Sequence, residues 1–175
     1  MNYSAITYND TNNGPGFRVS LWISGCDIRC AHCHNPQLWD PSVGDHLYVN
    51  VRTRLVNAVN NKECDGLSIL GGEPIKLNSH IDLYALSDIC EHVKRLTKKS
   101  IWLFTGHVFE ELLADNFIVS TLLNNIDVIV DGPYKHELRD TSLAFRGSSN
   151  QRLIDVPRSL ETNSIVLVNE DLLLN

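Results

Sequence analysis

Between residues 17 and 133 the chain alternates short apolar runs with stretches of helical periodicity, and a turn signal closes each apolar run. Phe17 to Ser24 is β-rich and partly alternating, and it feeds directly into a cysteine-rich loop. Val49 to Asn60 has helical spacing, with Val51, Leu55, Val56 and Val59 on one side. Gly66 to Leu70 reads as a strand ending in Gly71-Gly72-Glu73-Pro74. Ile81 to Leu96 is the clearest amphipathic helix, because Leu83, Leu86, Ile89, Val93 and Leu96 recur at three- and four-residue steps. Ser100 to Phe104 predicts a strand closed by Thr105-Gly106, and helical stretches follow over Phe109 to Leu123. Ile126 to Val130 predicts another, closed by Asp131-Gly132-Pro133. The order β-α-β-α-β-α-β calls for parallel strands joined by right-handed crossovers.

After Pro133 the sequence predicts no further helix. Arg152 to Val156 and Ile165 to Val168 read as two more strands separated by a polar turn. A complete eightfold barrel needs about 200 residues or more, and this chain has 175. The expected architecture is α/β: an open, partial (β/α) barrel of about six strands and about three main helices, forming one domain over residues 1–175. In such folds functional groups gather beyond the carboxyl ends of the strands. The cysteine loop, Gly71 to Pro74, Thr105-Gly106 and Asp131-Gly132 all fall there.

A hydrophobic share of 43% is enough for a real core. The formal net charge is −6 and the basic residues are scattered, so no face suits a nucleic-acid backbone. No apolar run approaches the roughly 18 residues of a membrane span. Five cysteines, an odd number without an export signal, argue against a disulfide framework and place the chain in a reducing cytoplasm.

Cys26, Cys30 and Cys33 form a C-x3-C-x2-C run with no obvious fourth thiolate. An iron–sulfur cube held at three corners keeps one iron open for a small molecule, whereas a structural zinc site is closed by a fourth ligand. His32 or His34 would complete such a zinc site, so the run alone leaves both metals open. Cys64 and Cys90 read as small buried hydrophobes. His46, His80, His92, His107 and His136 are isolated, and Trp22, Trp39 and Trp102 read as packing anchors, with Trp39 placed to cover a metal centre. The polar stretch from Tyr134 to Arg152 is expected to be a partner-docking loop.

With the cysteine loop and Gly71-Gly72-Glu73-Pro74 on successive strand ends, the chain resembles the radical S-adenosylmethionine enzymes. Within them it is similar to the glycyl-radical-enzyme activases. The likeness begins at Asn13-Gly14-Pro15-Gly16-Phe17-Arg18 and continues through Cys33-His34-Asn35-Pro36. It extends more weakly to Asp131-Gly132-Pro133 and to residues 146–152. The resemblance implies a 4Fe-4S cluster on Cys26, Cys30 and Cys33, whose fourth iron chelates S-adenosylmethionine. His32 stands where the family usually has an aromatic residue against the adenine, a departure in size, and His34 lies beside it in the loop. Gly71, Gly72 and Glu73 would hold the methionyl ammonium, with Pro74 fixing the turn. Thr105 and Asp131 would face the ribose or methionyl part.

The implied partners are a glycyl-radical protein and a low-potential donor such as flavodoxin or ferredoxin. The short length, without an inserted ferredoxin-like module, is most similar to members acting on the large subunit of anaerobic ribonucleoside-triphosphate reductase. Another glycyl-radical enzyme as target, a small-molecule radical enzyme of deazapurine synthesis, and a zinc-stabilised binding module are the alternatives. The Gly-Gly-Glu-Pro loop argues against the last, since zinc chemistry has no use for it.

Overall fold

The parallel heart of the sheet follows the expected order. In the computed structural model, which describes residues 1–172, strand β2 (Arg18–Ile23) pairs with β4 (Gly66–Gly71), β4 with β5 (Ser100–Phe104), and β5 with β6 (Val128–Asp131), all parallel. Among the described residues seven strands form one open sheet. The others are β1 (Asn2–Asp10), β3 (Asp45–His46) and β7 (Arg152–Asp155), and the order is β3-β1-β2-β4-β5-β6-β7. β1 and β7 run antiparallel to their neighbours and close the two ends of the parallel block.

The expected helices are α1 (Val49–Val59) and α2 (His80–Thr97), with α3 (Phe109–Leu113) and α4 (Asn116–Thr121) dividing the third helical stretch. Local chemistry sets their ends. Ser79 caps α2 by accepting the Asp82 N–H, Asp82 sits in the first turn, and Lys94 and Arg95 sit in the last. Asp115 accepts from the Phe117 and Ile118 N–H groups, which starts α4 and breaks it from α3.

Two expectations at the carboxyl end fail. A helix, α5 (Val156–Thr162), follows β7, capped by Asp155 with proline in its first turn. The predicted strand at Ile165 to Val168 reduces to a single bridge between Leu167 and Ile154. The chain turns through α5 and returns antiparallel to β7, where backbone bonds from Asp155 to Val166 and from Val168 to Leu153 flank that bridge.

Side chains alternate across the sheet, and the two faces differ in kind. Val19, Leu21, Ile23, Leu67, Ile69, Ile101, Leu103, Ile129 and Ile154 meet the helices in one continuous aliphatic core, together with Leu55, Leu83, Leu86 and Val93. Each fully buried aliphatic side chain there contributes about 1.5–3 kcal/mol. The opposite face carries Arg18, Ser20, Ser68, Trp102, Val128, Val130 and Leu153, a smaller and more polar lining. Register places Ile23 opposite Gly71, so the loops after β2 and β4 leave the sheet side by side. No helix among the described residues is long and apolar enough to cross a membrane.

Candidate functional site

The loop after β2 is coiled by backbone geometry that few residues adopt. Gly25 has φ +86°, and Arg29 and His32 are left-handed at +49° and +57°, each a cost of about 1–2 kcal/mol for a residue with a side chain. The loop is held at both ends. The Gly25 N–H donates to Leu38 O at 2.8 Å, the Cys26 N–H to Trp39 O at 3.2 Å, and the Cys33 N–H to Cys30 O at 3.2 Å. The outcome is that Cys26, Cys30 and Cys33 line one cavity of about 200 Å3.

Burial pushes the Cys26 and Cys30 thiols up, against opposing N–H donors from Arg29 and Ile28 to Cys26 and from Tyr134 to Cys30. Among the described residues no three His, Cys, Asp or Glu side chains converge as ligands of one metal ion. Three thiols spread around a shared hollow fit a cluster that takes one thiolate at each of three irons.

Gly71-Gly72-Glu73-Pro74 forms the neighbouring wall. Gly71 has φ +113°, and a Cβ there would meet Ile23 O at 2.6 Å. At Gly72 a Cβ would meet Gly25 O at 2.5 Å, so both positions require glycine for the two loops to stack. The Gly72 N–H donates to Ile23 O at 2.7 Å and the Glu73 N–H to Gly25 O at 2.9 Å. The ammonium of Lys76 also donates to Gly25 O.

The Glu73 side chain makes internal bonds that its place in the glycine loop does not foretell. Its carboxylate is buried and accepts from the Thr105 hydroxyl at 2.8 Å, the Gly106 N–H at 2.7 Å and the Ile75 N–H at 2.8 Å. Those bonds tie the end of β4 to the end of β5. Burial pushes this carboxyl up, and the nearby His107 and the three donors oppose the shift. The Thr105 hydroxyl, donating to Glu73 and accepting the His107 N–H at 3.1 Å, lines the cavity as a strut between loops.

Asp131 does not line the cavity at all. Its oxygens accept from the Phe109 N–H at 2.9 Å and from Arg152 at 3.0 and 2.5 Å. Arg152 also grips both oxygens of Glu110 at 3.0 and 2.7 Å. Asp131 therefore anchors α3 and β7 to β6, and the strand end it was expected to supply is represented by Gly132.

His32 and His34 are exposed, and neither lines the cavity. His32 stacks on His136 with centroids 4.2 Å apart, and His34 meets Tyr134 edge-on at 5.8 Å. His136, isolated in sequence, is thus part of the loop's surroundings. Pro74 is buried behind the wall. Cys64 and Cys90 are buried in the helix-side core, as expected. Trp39 lines both the cavity and a larger outer groove of about 590 Å3, which Cys26 also lines, and the three thiols stay partly exposed. Sequence reasoning missed Ile28, Phe104, Tyr134 and Gln151 in the cavity wall. For Tyr134, the signal was its place just after a strand-end Gly-Pro.

Comparison with known proteins supplies the family. The profile described as "4Fe-4S single cluster domain" matches residues 12–154. The anaerobic ribonucleoside-triphosphate reductase-activating protein of Enterobacteria phage T4 is 35% identical over 154 residues, covering 87% of this chain and 93% of that one. The protein of the same name from Escherichia coli K12 is 34% identical over 157 residues, covering 86% and 96%. That from Vibrio cholerae is 34% identical over 154 residues, with the same shares. With the matched region enclosing all three cysteines and the loops that stack on them, this chain belongs to the 4Fe-4S single cluster family that includes the anaerobic ribonucleoside-triphosphate reductase-activating proteins.

Proposed function

We propose that this chain, acting as one domain over residues 1–175, reductively cleaves S-adenosylmethionine and places a glycyl radical on the large subunit of anaerobic ribonucleoside-triphosphate reductase. The observation that carries the reading is one cavity lined jointly by Cys26, Cys30, Cys33 and the main chain of Gly71 and Gly72. The three thiolates hold a 4Fe-4S cluster at three irons. When bound and reduced, that cluster supplies the electron that breaks the sulfonium carbon–sulfur bond, and the 5′-deoxyadenosyl radical takes a hydrogen atom from a partner glycine.

The protein's part is binding, orientation and exclusion of water. Main-chain oxygens of the Gly71-Gly72 turn accept the methionyl ammonium, because the Glu73 carboxylate is engaged by Thr105, Gly106 and Ile75. Glu73 holds that turn in place from behind. Ile28, Trp39, Leu70 and Phe104 give the cavity apolar walls that keep water from a reactive centre. A cytoplasmic flavodoxin or ferredoxin delivers the electron through the surface beside the cysteine loop.

The test is anaerobic reconstitution with iron and sulfide, reduction, and addition of S-adenosylmethionine with and without the reductase. The reading expects 5′-deoxyadenosine together with a glycyl doublet in the reductase's paramagnetic resonance spectrum. Cleavage without that doublet would move the target to another glycyl-radical enzyme or to a small molecule of deazapurine synthesis. A colourless protein that binds zinc and cleaves nothing would overturn the reading.

A further inference from the structure

The inner face of the sheet carries a second chamber, of about 360 Å3, whose lining includes Asn13, Phe104, Val130, Phe145, Arg146 and Gln151. Phe104 and Gln151 also line the cysteine cavity, so the two hollows share a wall. Most polar groups of the chamber are committed internally. The Asn13 amide donates to Asp10 at 2.6 Å, and Gln151 donates to Gly132 O at 3.0 Å while accepting the Gly147 N–H at 3.0 Å.

Arg146 is different. Its side chain is 13% exposed, one terminal nitrogen meets Glu170 at 2.8 Å, and its Nε is buried without a hydrogen-bond partner among the described residues. A buried N–H left unmade is costly, and this one has room for an acceptor on the chamber side.

What fills the neighbouring space indicates the class of ligand. Glu170 ends an extended segment that returns along β7. The Asp155 N–H donates to Val166 O at 2.9 Å and the Val168 N–H to Leu153 O at 2.9 Å. Val168 packs against the same Trp102, Val128, Val130 and Leu153 cluster as Phe104 and Phe145. An extended peptide bearing a carboxylate thus already lies against this face. It also lies outside the matched residues 12–154.

We infer that the chamber receives the extended glycine-bearing segment of the partner reductase, and that Arg146 is a positioning residue gripping an oxygen of that segment in exchange for Glu170. The inference rests on the activase reading above and assigns the surface through which the partner reaches the cysteine cavity. Glu170 competes with the partner for one guanidinium.

Equilibrium titration of the full chain with the reductase large subunit tests this, alongside the radical assay. Glu170→Gln should tighten binding about two- to fivefold, the range that releasing a half-exposed ion pair allows. Arg146→Gln should weaken it on the order of tenfold, as loss of a charge-assisted hydrogen bond does. The double variant should bind like Arg146→Gln alone. A merely structural pair would move both single variants in the same direction. That result, or constants unmoved by either change, overturns the inference, and it does so even where the wild-type chain still raises the glycyl doublet. Failure of wild-type cluster loading and cleavage overturns the activase reading instead, whatever the binding constants.

Discussion

Glu73→Ala separates a clamp from a ligand. The wild-type carboxylate satisfies two main-chain N–H groups, of Ile75 and Gly106, and the Thr105 hydroxyl. Alanine leaves all three without their acceptor. The hydroxyl can rotate toward another oxygen, so the two N–H groups set the loss, at about 2–6 kcal/mol for donors buried at about 1–3 kcal/mol each. Removing a desolvated carboxylate returns part of that, which puts the net near about 3 kcal/mol, a large share of a typical stability of about 5–15 kcal/mol. With a urea slope of about 2 kcal/mol/M, the unfolding midpoint of the metal-free chain should fall by about 1.5 M. Circular dichroism at several urea concentrations reads this directly. Were the carboxylate instead the partner of the methionyl ammonium, the midpoint would barely move while KM for S-adenosylmethionine rose. A shift under about 0.5 M would refute the clamp.

Cys30→Ala should abolish the visible absorbance of the reconstituted cluster and all cleavage, whereas Cys90→Ala should keep both; the Cys90 thiol, pushed up to about 12 by burial, should also resist alkylation that labels the cysteine loop. Gly72→Ala should prevent cluster loading, because its Cβ would meet Gly25 O at 2.5 Å and force the two loops apart. Iron and sulfide content after reconstitution checks it. Acid should destabilise the chain. Hydrogen bonds from Arg152 hold the Glu110 carboxyl below its ordinary 4.5. At Asp10 burial pushes up, but donors from Ser20, Asn13 and Asn12 outweigh it and hold the group below 3.8. A lowered folded value gives stability that is complete above the ordinary value and lost as pH falls through the folded one. Urea midpoints taken from neutral pH down to about pH 3 should therefore decline in the acid range, and Arg152→Gln should flatten that decline.

The parallel strands and the two long helices were legible because their signals are local: apolar runs with turn residues behind them, and leucine spacing along α2. β1 escaped notice because only one edge of it meets the core. Tyr3 is buried while Tyr8 is half-exposed, and Ser4, Thr7 and Asn9 break any apolar alternation. The start of α5 was written in the sequence as Asp155 followed by Pro157, but the β-like run Arg152 to Val156 masked it. The thiols were placed correctly on one hollow because the run holding them is only eight residues long. The internal bonds of Glu73, Thr105 and Asp131 were not legible, since their partners lie on other strands: Glu73 and Thr105 are 32 positions apart, and Asp131 and Arg152 are 21.

Those three side chains share one structural role. The loops that leave the carboxyl ends of the parallel strands lie beyond the ladder of strand-to-strand bonds, so side chains must hold them. Glu73 ties β4 to β5, Asp131 ties β6 to β7 and α3, and Arg18 does the same at the opposite ends. Its buried guanidinium, lowered to about 10 by burial, bonds Ser68 at 2.7 Å, Leu67 O at 2.8 Å and Ser100 O at 3.1 Å, and it lies over Trp102. Charged groups committed this way keep few acceptor sites free for a ligand, about one of four at Glu73. Under the proposed function, the three thiols and the carbonyl oxygens of the glycine turn take the larger share of recognising a small charged molecule. In this fold a carboxylate at a strand end is better evidence of scaffolding than of catalysis, unless one of its oxygens is left without a donor.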